Sequence, residues 1–183
     1  MTATTLDAKT ALVVIDLQKG ILDLPIIHPG DEIVAKAAEL SEAFRAKDLP
    51  VVLVRVTGGA PGRTEAGHGG GTPPADWADL VPGLGRQDSD IVVTKQQWGA
   101  FYGTDLDLQL RRRGITQIVL LGVATSIGVE STARFASEYG YNVTVVTDAI
   151  SDMDADSHAN SVEKIFPRLG ETATTAEIIK LLG

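Results

Sequence analysis

"QIVLLGVATSIGVESTARFASEYGYNVTVVTD", Gln117 to Asp148, is the stretch that decides the fold. An aliphatic run, Gln117–Val123, ends in small residues. A helical pattern follows, with Val129, Ala133, Ala136 and Tyr139 on one stripe. Gly140 then precedes a second Val-rich run, Asn142–Asp148. Short, continuous aliphatic runs are the mark of parallel strands covered on both faces. A glycine just past a helix takes the left-handed conformation that closes the last carbonyls. Strand, helix, Gly and strand in this order predict a right-handed crossover between parallel strands.

The same rhythm extends outward in both directions. "ALVVID" (Ala11–Asp16), "PVVLVRV" (Pro50–Val56) and "DIVVTK" (Asp90–Lys95) read as strands, and "ETATT" (Glu171–Thr175) as a weaker sixth. Helical spacing recurs at Ile33, Ala37, Leu40 and Phe44, at Leu106 and Leu110, and at Val162, Ile165 and Leu169, where Pro167 is expected to close the helix. "TAEIIKLL" reads as a short last helix. Gly114 and Gly170 repeat the helix–Gly–strand order. The pattern predicts a parallel sheet with helices on both sides. With 183 residues, no internal repeat and no linker, residues 1–183 form one domain. "TGGAPGRTEAGHGGGTPPAD" (Thr57–Asp76) breaks the rhythm; a loop this long has either a lid or subunit-contact role or none.

Composition narrows the function classes. Hydrophobic residues make up 44% of the chain and charged residues 22%, ordinary values for a globular domain. The net charge of −8 argues against nucleic acid or an anionic membrane as partner, because both need a basic face. The chain has no cysteine, which excludes disulfides, thiolate metal sites and thiol catalysis. No signal-peptide pattern is visible at "MTATTLDAKT" and no apolar run nears the ~20 residues of a membrane span. The expected compartment is the cytoplasm.

In an open parallel sheet, ligands bind beyond the carboxyl ends of the strands, so the polar residues there are the candidates. Asp16 ends the first strand, either as a turn aspartate or as a partly desolvated acid or base. Lys95 ends the third. Trp98, Phe101 and Tyr102 follow it closely, as a pocket wall or as a plug between loop and core. After the fourth strand come Val123, Ala124, Thr125, Ser126, Ile127 and Gly128, small enough for close backbone approach. Thr125 and Ser126 are helix caps or substrate contacts. No dinucleotide fingerprint, Walker loop or metal-spaced histidine motif is present, so no cofactor and no metal are expected. The histidines, His28, His68 and His158, are far apart in sequence. His158 reads as a satisfied core or interface residue.

Four segments, "ALVVIDLQKG", "VVTKQQWGAFYGTDLDLQLRRRGI", "IVLLGVATSIGVESTARFASEYGYNVTVVTDAISD" and "HANSVEKIFPRLGETATTAEII", resemble the isochorismatase-like hydrolases in order and over nearly the whole chain. The resemblance implies a Rossmann-like three-layer α/β/α sandwich with a six-stranded parallel sheet. It implies a small-molecule substrate, a homodimer or higher homo-oligomer, and a cis peptide between Val123 and Ala124. It places the active site between Asp16, Lys95 and the turn after the fourth strand. Amide-cleaving members carry a nucleophilic cysteine where this chain has Gly128, and nicotinamidases a D-x-H metal motif that is missing here. Only the backbone of Gly128 and its neighbour Ile127 is left to polarise a negative group. In the isochorismatases proper, which hydrolyse a vinyl ether, an aspartate at the position of Asp16 is the proton donor. Lys95 would orient Asp16 or bind a substrate carboxylate. Three readings follow: a cysteine-independent hydrolase of an enol ether on a small, carboxylated or uncarboxylated metabolite; cleavage of an amide or ester by Ser126, Thr125 or an activated water; or a degenerate member that binds a metabolite or an oligomeric partner.

Overall fold

The computed structural model describes residues 3–65 and 71–183. Six strands, β1 (Thr10–Ile15), β2 (Val51–Val56), β3 (Ile91–Lys95), β4 (Gln117–Val123), β5 (Asn142–Ser151) and β6 (Glu171–Ala173), form one sheet. Their spatial order is β3-β2-β1-β4-β5-β6 and every pairing is parallel. The order reverses between β1 and β4, the two strands buried at every position. This is why their sequences show no polar alternation.

Among the described residues seven α-helices flank the sheet: α1 (Lys19–Leu22), α2 (Gly30–Arg45), α3 (Leu106–Arg112), α4 (Glu130–Glu138), α5 (Ala155–Asn160), α6 (Phe166–Leu169) and α7 (Thr175–Leu182); α1 to α6 lie between strands and α7 follows β6. Ile33, Ala37, Leu40 and Phe44 of α2 face the sheet, and α7 packs beside α2. On the other face, α4 packs against β5 and α6. There α3 is tied to the end of α4 and the start of β5 by Asp107, whose carboxylate accepts the Tyr141 hydroxyl at 2.7 Å. The result is the three-layer sandwich. Each fully buried Leu, Ile or Phe side chain contributes about 1.5–3 kcal/mol from burial.

Two expectations about helix ends need correction. Gly114 and Gly140 are left-handed caps, with φ of 67° and 83°, but Gly170 is extended at φ 178°. It is glycine because a Cβ there would lie 2.0 Å from the carbonyl oxygen of Val143. Pro167 does not close its helix; it starts the final turn, α6, where its missing N–H costs nothing. β6 is also shorter than the expected run, ending at Ala173.

Gly122 fixes the geometry at the switch point. It pairs with Ile15 across β1 and β4, and a Cβ on it would lie 2.0 Å from the Ile15 carbonyl oxygen. Its φ of 122° is open to glycine almost alone. The two central strands thus approach closely, one residue before Asp16.

Candidate active site

Asp16 leaves β1 in the left-handed region, φ 53°, which is uncommon for a residue with a side chain. Its N–H donates to the Val54 carbonyl at 3.0 Å, and its own carbonyl accepts from Gln18 N–H at 2.8 Å. The chain turns sharply here. Lys95, the last residue of β3, pairs in register with Val56 and reaches past the end of β2. Its Nζ lies 2.7 Å from Asp16 Oδ2. Asp16 is 4% and Lys95 2% exposed.

Lys95 has two further acceptors, the carbonyls of Gln97 at 3.1 Å and Trp98 at 2.8 Å. An ammonium group has three protons, and here each has a protein acceptor. The other Asp16 oxygen, Oδ1, is buried with no hydrogen-bond partner. Burial pushes the Asp16 carboxyl up from 3.8 to about 6, against the pull of Lys95 in the opposite direction.

Both groups line a cavity of about 270 Å³. Val123, Ala124, Ile127 and Gly128 line it too, and the peptide between Val123 and Ala124 is cis. Gly128 faces the pair directly. A Cβ on it would lie 3.0 Å from Ile15 Cγ2, 3.3 Å from Asp16 Oδ2 and 3.6 Å from Lys95 Nζ. Trp98 forms part of the wall and is 64% exposed at its outer side.

Four candidates lie elsewhere. Phe101 is a core plug, packed edge-on against Tyr139 and stacked on Tyr141 at ring separations of 5.4 and 5.9 Å. Tyr102 is 71% exposed and outside the cavity. The backbone turns after Trp98, so neighbours in sequence part company. Thr125 is fully buried behind the turn, where its hydroxyl donates to the Ser151 carbonyl at 3.1 Å and sits 2.9 Å from His158 Nδ1. Ser126 lies outside the cavity as well. Neither side chain caps the helical turn Thr125–Val129 that leads into α4. Asp152 does so instead, its Oδ2 accepting the Ser126 N–H at 2.6 Å. Ile127 N–H donates to Ala124 O. The N–H groups of Ser126 and Ile127 are therefore occupied, which corrects the expectation of a free donor at Ile127.

The fold also joins residues that the sequence kept apart. His28 and His158 meet edge to face at 5.0 Å behind the turn. Burial first, then the nearness of His28, lowers the pKa of His158. Gln18 is fully buried. Its Oε1 accepts the Val56 N–H at 2.8 Å, while its Nε2 donates to the carbonyls of Val56 at 3.0 Å and Trp77 at 3.3 Å. Trp77 enters the cavity wall this way, and a Cβ on Gly20 would lie 1.9 Å from its ring. Gly58 and Gly59, at the start of the Gly-rich loop, line the cavity too. Residues 66–70 of that loop, His68 among them, lie outside the described residues. Among the described residues no group of three or more His, Asp or Glu is placed to hold a metal, and no helix is long and apolar enough to cross a membrane.

A six-stranded parallel sheet with an acid–lysine pair and a small-residue turn at its switch point defines a class, and the chain belongs to it: an isochorismatase domain matches residues 10–177, which places the protein in the isochorismatase family of hydrolases. Isochorismatase family protein YwoC of Bacillus subtilis is 51% identical, over 94% of this chain and 93% of its own. An isochorismatase family protein of Burkholderia thailandensis, known from its structure, is 49% identical with a TM-score of 0.94, over 97% of both chains. Ureidoacrylate amidohydrolase RutB of Methylobacterium radiotolerans is 30% identical, over 96% of this chain and 80% of its own.

Proposed function

We propose that this protein hydrolyses an enol ether in a small molecule by proton transfer from Asp16, with no covalent intermediate. The carrying observation is Asp16 itself: a buried carboxyl that lines the cavity, held by Lys95 through Oδ2, with Oδ1 free of protein partners. Burial keeps part of the Asp16 population protonated near neutral pH, as a general acid requires. Without cysteine, no thiolate attack is open to the chain.

In the first step the Oδ1 proton moves to the terminal alkene carbon, and the ether oxygen shares the positive charge left on the adjacent carbon. Water then adds to that carbon and gives a proton back to Asp16. The hemiketal collapses to a ketone and an alcohol. Lys95 remains protonated throughout and steadies the carboxylate formed in the first step. Gly128, at the position the resemblance assigns to the family cysteine, leaves room beside Asp16 for the substrate.

A second reading draws on the 30% identity to an amidohydrolase: ionised Asp16 would take a proton from water, which attacks an amide or ester carbonyl. The N–H groups of Ser126 and Ile127 are already bonded, so an oxyanion in this reading would draw on other N–H groups of the wall, such as that of Gly128.

The test is a panel of enol ethers, esters and amides, assayed with wild type and Asp16→Asn. Enol ether turnover that falls ~10²–10⁴-fold in folded Asp16→Asn is expected. Equal rates in both proteins would remove the role given to Asp16, and turnover of amides or esters alone would favour the second reading.

A further inference from the structure

Charge balance in the cavity bears on what it accepts. An anionic ligand entering a buried site is held best by a cation with protons to spare. Among the described residues the one cationic side chain lining the cavity is Lys95, and all three of its protons already have acceptors. Of the N–H groups at the N-terminal end of the following helix, the usual second resource, that of Ser126 is taken by the carboxylate of Asp152. Gln97 also lines the cavity, but its amide donates to the carbonyls of Gly99 and Tyr102. Asp16 adds an anion of its own once ionised.

The remaining side chains of the wall are largely apolar. Trp77 and Trp98 supply two indoles, each with a single N–H donor, and Ile21, Val56, Ile127 and Met153 supply aliphatic surface. The volume, about 270 Å³, falls just under the range for drug-sized ligands. We infer that the site takes a small, uncharged, largely apolar molecule and rejects its carboxylated counterparts, the reactive group alone meeting Asp16. The inference rests on the reading of Asp16 and Lys95 as the reacting end of this cavity. It replaces the open expectation of a carboxylated metabolite, because Lys95 has no proton left for a substrate carboxylate.

Trp77 and Trp98 are the two tryptophans of the chain, and both line the cavity. Indole fluorescence excited at 295 nm therefore reports on this site. Wild type is titrated at pH 7.5 with 2-phenylacetamide and, separately, with phenylacetate. The two probes are close in size and differ in charge. Saturable quenching by the amide is expected, with the carboxylate at least ~10-fold weaker. In Asp16→Asn, Lys95 loses its anionic partner, and the preference should narrow by ~10-fold or reverse. Equal or tighter binding of phenylacetate to wild type overturns the inference, and so does the absence of saturable quenching by the amide up to ~10 mM.

Failure here is separable from failure of the proposed reaction. Binding selectivity is read without turnover, so a charge-blind cavity combined with an inactive Asp16→Asn would leave the reaction standing. A neutral-selective cavity combined with an active Asp16→Asn would leave the substrate class standing.

Discussion

Lys95 Nζ sits 2.7 Å from Asp16 Oδ2, two strands away across the end of β2, with both side chains almost fully buried. Removing one member of a buried ion pair leaves the other uncompensated, at about 3–5 kcal/mol. Lys95→Met should therefore lose up to about that much at pH 8, measured by urea unfolding. The loss should shrink at pH 5, where protonated Asp16 needs no cation. A loss independent of pH would mean that the lysine stabilises the fold mainly through the Gln97 and Trp98 carbonyls.

The rate should carry the titration of the same carboxyl. Asp16 titrates at about 6 in the folded protein. Proton donation needs the protonated form, so kcat/KM should be flat below pH 6 and fall about tenfold per pH unit well above it. A profile that rises through pH 6 would instead mark Asp16 as a base.

Stability should move with pH in a direction set by that shift. The carboxyl titrates at 3.8 when unfolded and about 6 when folded, so the folded state binds the proton more tightly. The contribution is fully present below pH 3.8 and is lost as pH rises through 6. It is worth roughly 3 kcal/mol. Wild type should lose nearly this amount relative to Asp16→Asn between pH 3 and pH 7, by denaturant unfolding at each pH. A difference of the opposite sign would mean that Lys95 outweighs burial.

Gly122→Ala should be among the most damaging single-methyl changes in the chain. The added Cβ meets backbone, the Ile15 carbonyl oxygen, at 2.0 Å, at a φ of 122°. A loss of about 3 kcal/mol or more is expected, together with loss of activity as β1 and β4 part beside Asp16. Thermal unfolding with an activity assay on the soluble fraction measures both.

Phe101 and Trp98 should separate core from cavity. Phe101→Ala empties a packed aromatic cluster and should cost about 3–5 kcal/mol of stability. Trp98→Ala, at a half-open wall, should leave stability within about 1 kcal/mol and raise KM. Denaturation midpoints and KM for a turned-over enol ether distinguish the two.

The strands were legible because β1 and β4 are buried on both faces, and such strands are written as unbroken aliphatic runs. Asp16 and Lys95 were legible as polar residues ending those runs. Phe101 and Tyr102 were not, since nearness in sequence after a strand says nothing about which way each side chain leaves the turn. Gly170 and Pro167 were misread for a related reason: each residue type has several uses, and the choice lay in a distant backbone, Val143, or in the start of a new helical turn, α6. Trp77 and Gln18 passed unseen. Trp77 follows a segment with no periodicity, and the single signal from Gln18 was an amide two residues beyond a strand, in "DLQKG".

Gln18 carries a consequence for how such a protein can change. Its amide grips Val56 at one end of the Gly-rich stretch and Trp77 at the other. A stretch of chain with both ends moored at one point can be lengthened, shortened or rewritten at small entropic cost; Thr57, its first residue, belongs to the mooring, its N–H donating to the Lys95 carbonyl at 2.9 Å. Beyond Thr57 the stretch is in effect an exchangeable cassette bordering the cavity, and selection can revise what enters while leaving the Asp16–Lys95 pair in place.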